Sequence, residues 1–377
     1  MKVAIVHDWL VSQRGGENVL DAICELFPRA DLFTLVYVPG QVSSNILRLK
    51  RHTSILQRLP SAERRYRHFL PLMPWAIERF DMRKFDLILS SSHCVAKGVL
   101  KRDDAFHMSY VHAPMRYMWD RFDEYFAPGR YSALTCYAAR QFRSYLQNWD
   151  RKSATRVDHF LANSNFIADR IAQYYGRKAE VVYPFCEPEY FTRARQPGRN
   201  YLMVTALVPY KRVDMAIEAF NRMGKPLLIV GDGPDRDRLH KIAGKSIDFL
   251  GALKSSTIAD LYSKCRALVF PGVEDFGIVP VEAMSAGAPV LAFGQGGVLE
   301  TVTAETGWFF NENSVEGLIA GVEAFERKTF DEQACRKRGR EFTRARFQHE
   351  YLAQLRSHAP ARILSSLETA DIALPPA

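Results

Sequence analysis

Glu274 and Glu282 are eight positions apart, in a stretch whose pattern predicts strand, loop, helix and strand. The apolar run 267–270 ends at a Pro-Gly pair, and a Gly-containing loop carries Glu274. Pro280 suits the first turn of the helix that carries Glu282, because a proline there loses no hydrogen bond. The carboxylates are therefore predicted on different elements, from which both can face one cleft. Taken alone, this spacing is also typical of a solvated face.

The backbone between the two glutamates is a second candidate for chemistry. Phe276, Gly277 and Ile278 lie near the predicted helix start. N–H groups at such a start have no partner within the helix, and together with the helix dipole they attract oxygen-rich ligands. The stretch therefore pairs carboxylates with backbone donors, as expected of a site for an oxygen-rich ligand.

Three further groups of residues are candidates for ligand binding or catalysis. Lys211, followed by Arg212, lies between a predicted strand and helix, where a lysine can neutralise a diphosphate leaving group. His112 falls at the carboxyl end of a predicted strand, where open α/β sheets place their ligands, although a lone His near apolar residues is more often structural. Gly15 and Gly16 link a short strand to a helix and can equally form a tight turn.

Predicted strands and helices alternate along the chain, and these elements must position the candidate groups. Strands are predicted over 3–6, 31–37, 85–89, 106–111, 160–162, 180–182, 201–206, 227–230, 247–250, 267–270 and 289–293, and residues 307–310 close the second set. Segments of helical period lie between them, including a helix over 164–175 that ends at Gly176 and one over 213–223 that ends at Gly224. This alternation predicts α/β architecture with parallel, doubly wound sheets. The Pro-rich stretch 184–199 is predicted to be a linker, so we expect domains over 1–197 and 198–345, and a C-terminal helix with its tail over 346–377.

The full string EDFGIVPVEAMSAGAPV, from Glu274 to Val290, is far more specific than the two glutamates alone. It resembles the E-x7-E signature of the retaining, sugar-nucleotide-dependent glycosyltransferases of family 4. This resemblance implies the GT-B fold, in which two Rossmann-like domains face a central cleft that holds the donor. It also implies that the last helix returns to the first domain.

The resemblance assigns a role to each candidate group. Glu274 and the neighbouring amides would hold the hydroxyls of the sugar, and Glu282 those of the ribose. Lys211 and the Gly16 amide would face the diphosphate, and His112 would support the reacting sugar. The catalytic set is then His112, Lys211 and Glu274, and the donor-binding set is Gly15, Gly16, Arg212, Phe276, Gly277, Ile278 and Glu282.

Two features bear on the charges around the leaving group. The family pattern has an Arg five residues before the Lys and a Gly directly after it, where this chain has Ala206 and Arg212. Arg212 is a candidate to replace the missing charge. The D-x-D spacing of Asp235 and Asp237 lies away from the matched positions, so we expect no metal site and no cofactor other than the nucleotide-sugar substrate.

The net charge of +9 lies entirely in the first half of the chain: residues 1–197 hold 29 Lys and Arg against 20 Asp and Glu. This asymmetry indicates an anionic partner: nucleic acid, a membrane surface or a phosphorylated acceptor. The segment from Arg48 to Arg79 joins basic residues to apolar ones, including Trp75, as a membrane interface does. A helical pair with a solvated basic face explains the same pattern.

The string from Phe106 to Asp120, with the segments 91–93 and 95–99 upstream, resembles a branch that includes bacterial O-antigen and exopolysaccharide mannosyltransferases. This branch implies transfer of mannose from GDP-mannose to a polyprenyl-diphosphate-linked saccharide. The six cysteines show no C-x-x-C pair, and no apolar run approaches a membrane span. We therefore expect a cytoplasmic protein bound peripherally to the inner face of the plasma membrane.

Three alternatives remain open at this stage. A GT-B sugar-nucleotide epimerase would bind a similar donor without an acceptor. A basic α/β nucleic-acid-binding protein would explain the charge, although no P-loop, helix-turn-helix or RNA-recognition motif is present. A catalytically dead scaffold is disfavoured because Lys211 and the E-x7-E string are intact.

Overall fold

The computed structural model describes residues 1–13, 15–125 and 132–368. The chain folds as two compact units: residues 1–183 with the residues from Phe347 on, and residues 184–346. The division falls at the start of the Pro-rich stretch 184–199 rather than at its end. The C-terminal residues 369–377, expected to include a frayed tail, lie outside the described part of the chain.

Within the described residues, the first unit contains a sheet of seven parallel strands in the order β3-β2-β1-β4-β5-β6-β7. A parallel sheet in the order 3-2-1-4-5-6 is that of the Rossmann fold, whose chain reverses its direction of winding between the first and fourth strands. The strands are β1 (Val3–His7), β2 (Asp31–Thr34), β3 (Lys50–Thr53), β4 (Leu87–Ser92), β5 (Phe106–Val111), β6 (His159–Ala162) and β7 (Glu180–Val181).

The helices of this unit follow the predicted alternation. Ser164 caps the helix that ends at Gly176, whose φ of +65° gives the left-handed turn expected of a glycine terminator. Short 3-10 helices cover Ile55–Arg58, Tyr66–Leu72 and Ala96–Gly98. The α-helices are α1 (Gly15–Leu26), α2 (Ser44–Arg48), α3 (Ala62–Arg65), α4 (Met73–Glu78), α5 (Phe122–Tyr125), α6 (Ala133–Ala154) and α7 (Asn165–Tyr175).

Residues 184–346, all of them described, form a sheet of six parallel strands in the order β10-β9-β8-β11-β12-β13. This is again the 3-2-1-4-5-6 order, with its reversal between β8 and β11. The strands are β8 (Tyr201–Val204), β9 (Leu227–Val230), β10 (Ile247–Gly251), β11 (Leu268–Phe270), β12 (Val290–Phe293) and β13 (Gly307–Phe310).

Seven α-helices accompany this sheet, with 3-10 helices at Pro188–Phe191 and Pro209–Lys211. They are α8 (Val213–Met223), α9 (Arg236–Ile242), α10 (Ser255–Lys264), α11 (Ile278–Ser285), α12 (Val298–Thr301), α13 (Val315–Glu326) and α14 (Glu332–Gly339). α15 (Arg344–His358) and α16 (Ala361–Glu368) follow, and α15 belongs to the first unit from Phe347 on. There Phe347 packs edge-on against Tyr110, and the Gln348 side chain donates to the carbonyl of Ala22.

β3 is the strand that the sequence pattern did not predict. Its residues, Lys50 to Thr53, are charged or polar and mostly exposed, because β3 forms the edge of the first sheet. Charged side chains on an edge strand discourage pairing with another chain. The interpretation of 48–79 as a helical pair is therefore wrong at its start, where the segment contributes a strand.

Candidate functional site

Lys211 and Glu274 meet at the reversal point of the second sheet. Lys211 lies in the loop after β8, and Glu274 lies in the loop after β11, the neighbouring strand. The Lys211 Nζ atom and a Glu274 carboxylate oxygen form an ion pair, with only 17% and 15% of the two side chains exposed. Ligands of open α/β sheets bind outside the carboxyl ends of the strands at this point. The structure thus brings two predicted catalytic residues together where that rule places a ligand.

Two glycines, neither of them among the predicted site residues, let these loops approach. A Cβ atom on Gly272 would lie 3.0 Å from the Cα atom of Lys211. A Cβ on Gly297 would lie 2.4 Å from the carbonyl oxygen of Asp275, and the Gly297 N–H donates to the carbonyl of Glu274 at 2.9 Å. Because real Cβ atoms are not found at 2.4 Å, a larger residue at Gly297 would displace the loop that carries Glu274, and one at Gly272 would press against the backbone of Lys211. Only the fold reveals this, since glycines are common in loops.

The predicted backbone donors lie next to this ion pair in sequence. Gly277 precedes α11, which begins at Ile278, and Phe276 is buried against Phe342. The N–H groups of Phe276, Gly277 and Ile278 are therefore in the position where helix starts bind anions and hydroxyl oxygens. The loop was predicted from the Pro-Gly pair that ends the preceding strand, and the helix start from Pro280.

Glu282 lies in the interior of α11, and its Oε2 atom accepts a hydrogen bond from the Tyr262 hydroxyl at 3.0 Å. Burial raises the pKa of Glu282 to about 7, and the nearby Glu189 and Glu187 contribute to the rise. A carboxyl with this pKa exists in both protonation states near neutral pH, so it can accept or donate a hydrogen bond. Tyr262, on α10, was not predicted as part of the site.

Arg212 has a backbone φ of +52°, a conformation in which a residue other than glycine is strained. This explains why the family pattern has Gly at this place. Its guanidinium donates to Asn313 Oδ1 at 2.6 Å and lies 3.9 Å from Asp214. The replacement of the charge absent at Ala206 by Arg212 therefore stays a prediction.

In the first unit, Gly15 and Gly16 open α1, and Gly16 lies against His112. A Cβ atom on Gly16 would lie 3.8 Å from both Cε1 and Nε2 of the His112 ring. His112 directly follows β5 and is partly buried, and its Nε2 atom lies 2.8 Å from Ser91 Oγ. Burial lowers the pKa of His112 well below its ordinary value, and the neighbouring His93 lowers it further. The imidazole is therefore neutral at pH 7.

A cavity of about 510 Å³ opens at the carboxyl ends of β9 and β10 in the second unit, and it was not predicted. The His240 and Phe249 rings stack there with centroids 4.0 Å apart. Aromatic faces with a few polar groups suit a flat heterocycle. The remaining lining residues are Leu207, Gly231, Arg236, Asp237, Leu250 and Gly251.

Two clusters contain residue types that can bind a metal ion. In the D-x-D pair, Asp235 lies 3.1 Å from Arg238 and Asp237 lies 3.3 Å from Arg236, so arginines already neutralise both. In the described part of the first unit, His159, Glu180 and His358 come within metal-binding reach of one another. The two imidazoles are stacked with centroids 3.6 Å apart and planes at 17°, so their in-plane lone pairs do not converge on one ion. The absence of a metal requirement stays a prediction.

Two family models match the chain: Glycosyltransferase Family 4 over residues 13–190, and Glycosyl transferases group 1 over residues 192–342. Together they take in most of both units. The chain belongs to the family 4 type of glycosyltransferases. Its GT-B class with two Rossmann-like domains, predicted from the sequence, is confirmed by the sheet orders and by solved glycosyltransferases of the same fold.

This family 4 glycosyltransferase is similar in sequence to curated mannosyltransferases and in fold to solved structures. It is 31% identical over 190 residues to a GDP-mannose-dependent alpha-mannosyltransferase of Mycolicibacterium smegmatis, covering 47% of this chain and 48% of the relative. It is 26% identical over 153 residues to the O-antigen chain mannosyltransferase RfbU of Salmonella typhimurium, covering 37% and 43%. The chain thus spans about half the length of these relatives, or less. Anabaena HepE in complex with UDP shares the fold, with a TM-score of 0.64, 17% identity, and coverage of 95% of this chain and 100% of HepE.

Proposed function

We propose that this chain is a retaining glycosyltransferase that moves mannose from GDP-mannose onto a lipid-linked saccharide in bacterial surface polysaccharide biosynthesis. The observation that carries the proposal is the meeting of Lys211 with Glu274 at the reversal point of the second sheet, beside the start of α11. A cation, a carboxylate and helix-start amides in one place match the needs of a sugar diphosphate.

Breaking the bond between sugar and phosphate develops positive charge on the sugar and negative charge on the leaving diphosphate. Lys211 neutralises the diphosphate, and its pairing with Glu274 holds the ammonium group in place before the reaction. A preorganised charge stabilises the transition state without reorganisation cost. Glu274 and the amides of Phe276, Gly277 and Ile278 hold the hydroxyls of the sugar.

The residues proposed to bind the nucleoside lie in the same unit as Lys211 and Glu274. Glu282, held by Tyr262, binds the ribose hydroxyls, and the cavity with the stacked His240 and Phe249 takes the base. In the first unit, the Gly16 amide approaches the diphosphate, and His112 beside it supports the reacting sugar. Each of these roles is a proposal that a single substitution tests.

The mannosyl donor is supported by the relative in Mycolicibacterium smegmatis, whose name specifies GDP-mannose. HepE, which shares only the fold, is described with UDP, so the base needs a direct test. A thermal-shift series with GDP, UDP, ADP and pyrophosphate provides it. GDP at a hundred times its Kd should stabilise the protein by about 2.7 kcal/mol. A larger thermal shift with UDP than with GDP would contradict the guanine assignment. An equal shift with pyrophosphate would show that the base does not contribute to binding.

The lipid-linked acceptor is supported by the similarity to RfbU and by the basic surface of the first unit. No helix of the described chain is both long and apolar enough to cross a membrane. Peripheral docking at an anionic surface is proposed instead. Exposed basic residues between β3 and β4 suit it, namely Arg58, Arg64, Arg65, Arg67 and Arg79, and they lie among the exposed apolar Ile55, Leu72 and Trp75.

Transfer of radiolabel from GDP-[14C]mannose to an extract of lipid-linked saccharides tests the activity. We expect labelled lipid product with the wild-type protein, none with heat-inactivated protein, and undiminished transfer in EDTA. Conversion of the free donor to an epimer without labelled lipid would favour the epimerase alternative. Steep, salt-dependent binding to DNA or RNA without any transfer would favour the nucleic-acid-binding alternative.

A further inference from the structure

The reversal point of the first sheet contains a row of polar side chains joined by hydrogen bonds. His7 ends β1, Ser91 lies in the neighbouring β4, and His112 follows β5. The Nδ1 atom of His7 lies 3.0 Å from the carbonyl oxygen of Ser91 and 3.2 Å from its Oγ atom, and that Oγ lies 2.8 Å from Nε2 of His112. His7 and Ser91 are fully buried.

The positions of the protons among His7, Ser91 and His112 follow from which atoms can donate a hydrogen bond and which can only accept one. A backbone carbonyl only accepts, so the Nδ1 atom of His7 must carry a proton to bond to the Ser91 carbonyl. That nitrogen then has no lone pair for the Ser91 hydroxyl. Within the described part of the chain, the one remaining acceptor in hydrogen-bond contact with Ser91 Oγ is Nε2 of His112, so the hydroxyl donates to it.

We propose that Ser91 and His7 hold His112 as the neutral tautomer with its proton on Nδ1, so that His112 meets its ligand as a hydrogen-bond donor and not as a base. Among the residues that the structure describes, the hydrogen bonds of the His112 ring involve Nε2 alone, and His112 is only partly buried. Its Nδ1–H is therefore the group available to an acceptor oxygen. Ser91 and His7 are positioning residues, because they act through His112.

Two carboxylates lie beside the other histidines of this cluster. Glu17, on α1, lies 3.9 Å from Nε2 of His7; burial would raise the pKa of Glu17, but His7 and His93 lower it below its ordinary value, so the carboxylate is ionised. Asp8 accepts hydrogen bonds from the backbone N–H groups of residues 93–96 and lies 3.2 Å from His93 Nδ1. The Glu17 and Asp8 carboxyl groups thus lie near His7 and His93, while burial lowers the pKa of His112 and favours its neutral form.

The functional consequence rests on the proposed function, in which His112 lies next to the transferred sugar. A donor at Nδ1 selects an acceptor oxygen, such as a sugar hydroxyl, and excludes His112 as the general base that would deprotonate an acceptor alcohol. Loss of Ser91 would free Nε2 to take the proton, and Nδ1 would then present a lone pair to the same oxygen.

Nitrogen-15 NMR of the histidine rings tests the tautomer without any substrate. Protonated and unprotonated ring nitrogens have well-separated 15N shifts, and the His112 signals are identified by their loss in His112→Gln. In the wild type at pH 7 we expect a protonated Nδ1 and an unprotonated Nε2 for His112. The opposite pattern, or an imidazolium, in the wild type would overturn the proposal, whatever happens to the variants.

The matched pair of variants is Ser91→Ala and Ser90→Ala. Ser90 is also fully buried in β4, and its Oγ lies 2.7 Å from Nε2 of His107, so Ser90→Ala removes the same kind of contact without touching His112. We expect Ser91→Ala alone to move the His112 proton toward Nε2 and to lower kcat at least tenfold with the KM for the donor nearly unchanged. Ser91→Thr, which keeps the hydroxyl, should restore both readouts.

An unchanged His112 tautomer in a folded Ser91→Ala variant would overturn the proposal, as would equal kcat losses in Ser91→Ala and Ser90→Ala. The NMR result does not depend on catalysis, so failure of the proposed function is recognised separately. That failure would be a wild-type protein with the expected tautomer that transfers no sugar from any nucleotide donor.

Discussion

At the scale of single residues, the ion pair between Lys211 and Glu274 matters for turnover rather than for folding. The two side chains keep 17% and 15% of their surface exposed, so the charge left by removing one partner keeps some contact with water, and we expect the loss of stability to be smaller than the loss of rate. Lys211→Ala and Glu274→Ala should each reduce kcat on the order of a hundredfold, as removal of one preorganised electrostatic partner does. Steady-state kinetics with the true donor and acceptor measure this loss, and thermal melts check the fold.

Lys225→Ala is the matched control for that prediction. Lys225 pairs with Glu326 at 2.9 Å in the same unit, but it precedes β9 and so lies at the opposite edge of the sheet. We expect near-normal turnover from this variant. A folded Lys211→Ala or Glu274→Ala variant that keeps the wild-type rate would show that the residue has no catalytic role.

Glu282 should make the stability of the protein depend on pH. Its pKa in the folded state, about 7, is above the ordinary value of 4.5, so the folded state binds the proton more tightly than the unfolded state does. Stability contributed by Glu282 is therefore present below about pH 4.5 and lost as the pH rises toward 7, by up to about 3 kcal/mol. Urea unfolding at several pH values should show this slope in the wild type and not in Glu282→Gln.

Glu326→Gln is the control for Glu282. Glu326 also accepts a hydrogen bond from a tyrosine, Tyr201, at 3.0 Å. Burial would raise the pKa of Glu326, but Lys225 and Tyr201 lower it below its ordinary value. The stability that Glu326 contributes is therefore lost at acidic pH. Between about pH 5 and pH 8, the free energy of unfolding of Glu326→Gln should change with pH as it does in the wild type. Equal slopes in wild type and Glu282→Gln would mean that Glu282 is not the titrating group.

At the scale of elements, the site depends on how closely the loops after β8, β11 and β12 approach one another. Gly297→Ala would bring a methyl group to 2.4 Å from the carbonyl oxygen of Asp275, which must displace the loop that holds Glu274. We expect a reduction in kcat of tenfold or more, on the order of 1–2 kcal/mol of transition-state stabilisation. Kinetics corrected for the folded fraction measure it.

Gly317→Ala is the control that distinguishes displacement of the Glu274 loop from a steric clash elsewhere in the same unit. A Cβ on Gly317 would lie 2.2 Å from the carbonyl oxygen of Glu312, a clash at least as severe, but in α13 rather than in a loop that carries Glu274. Both substitutions should lower the melting temperature. If both also lower kcat to the same extent in the folded fraction, the role of Gly297 is structural only.

At the scale of the whole molecule, the excess positive charge of residues 1–197 should produce salt-sensitive binding to anionic vesicles. Each Lys or Arg near such a surface contributes about 1 kcal/mol. Replacing Arg64, Arg65 and Arg67 with Gln should therefore weaken binding by two orders of magnitude or more at low salt. Sedimentation with vesicles of anionic or neutral lipids measures the bound fraction.

The control for the vesicle experiment removes the same charge from the second unit. Lys241, Lys245 and Lys254 are exposed there, and their replacement with Gln should leave binding unchanged. Equal binding to anionic and neutral vesicles, or an equal loss from both triple variants, would leave the basic surface unexplained. No binding at all would favour a soluble acceptor.

Much of the local structure was determined by the sequence alone. Strand 106–111 and helix 213–223 have the predicted bounds, and Ser164 and Gly176 bound a helix as predicted, because apolar period and capping chemistry act over a few residues. The E-x7-E string identified the family and, through it, the fold. β3 was missed because an edge strand is exposed and charged, and so lacks the apolar pattern of the central strands.

Only the tertiary structure decided which distant residues meet. Lys211 and Glu274 are 63 positions apart, and Ser91 lies 84 positions from His7 and 21 from His112. They come together because β8 pairs with β11, β1 with β4 and β4 with β5. Periodicity reports which face of an element is buried, whereas strand order follows from how all the elements bury their apolar faces together. The proton on His112 depends on that order as well, since it is fixed by two side chains on neighbouring strands.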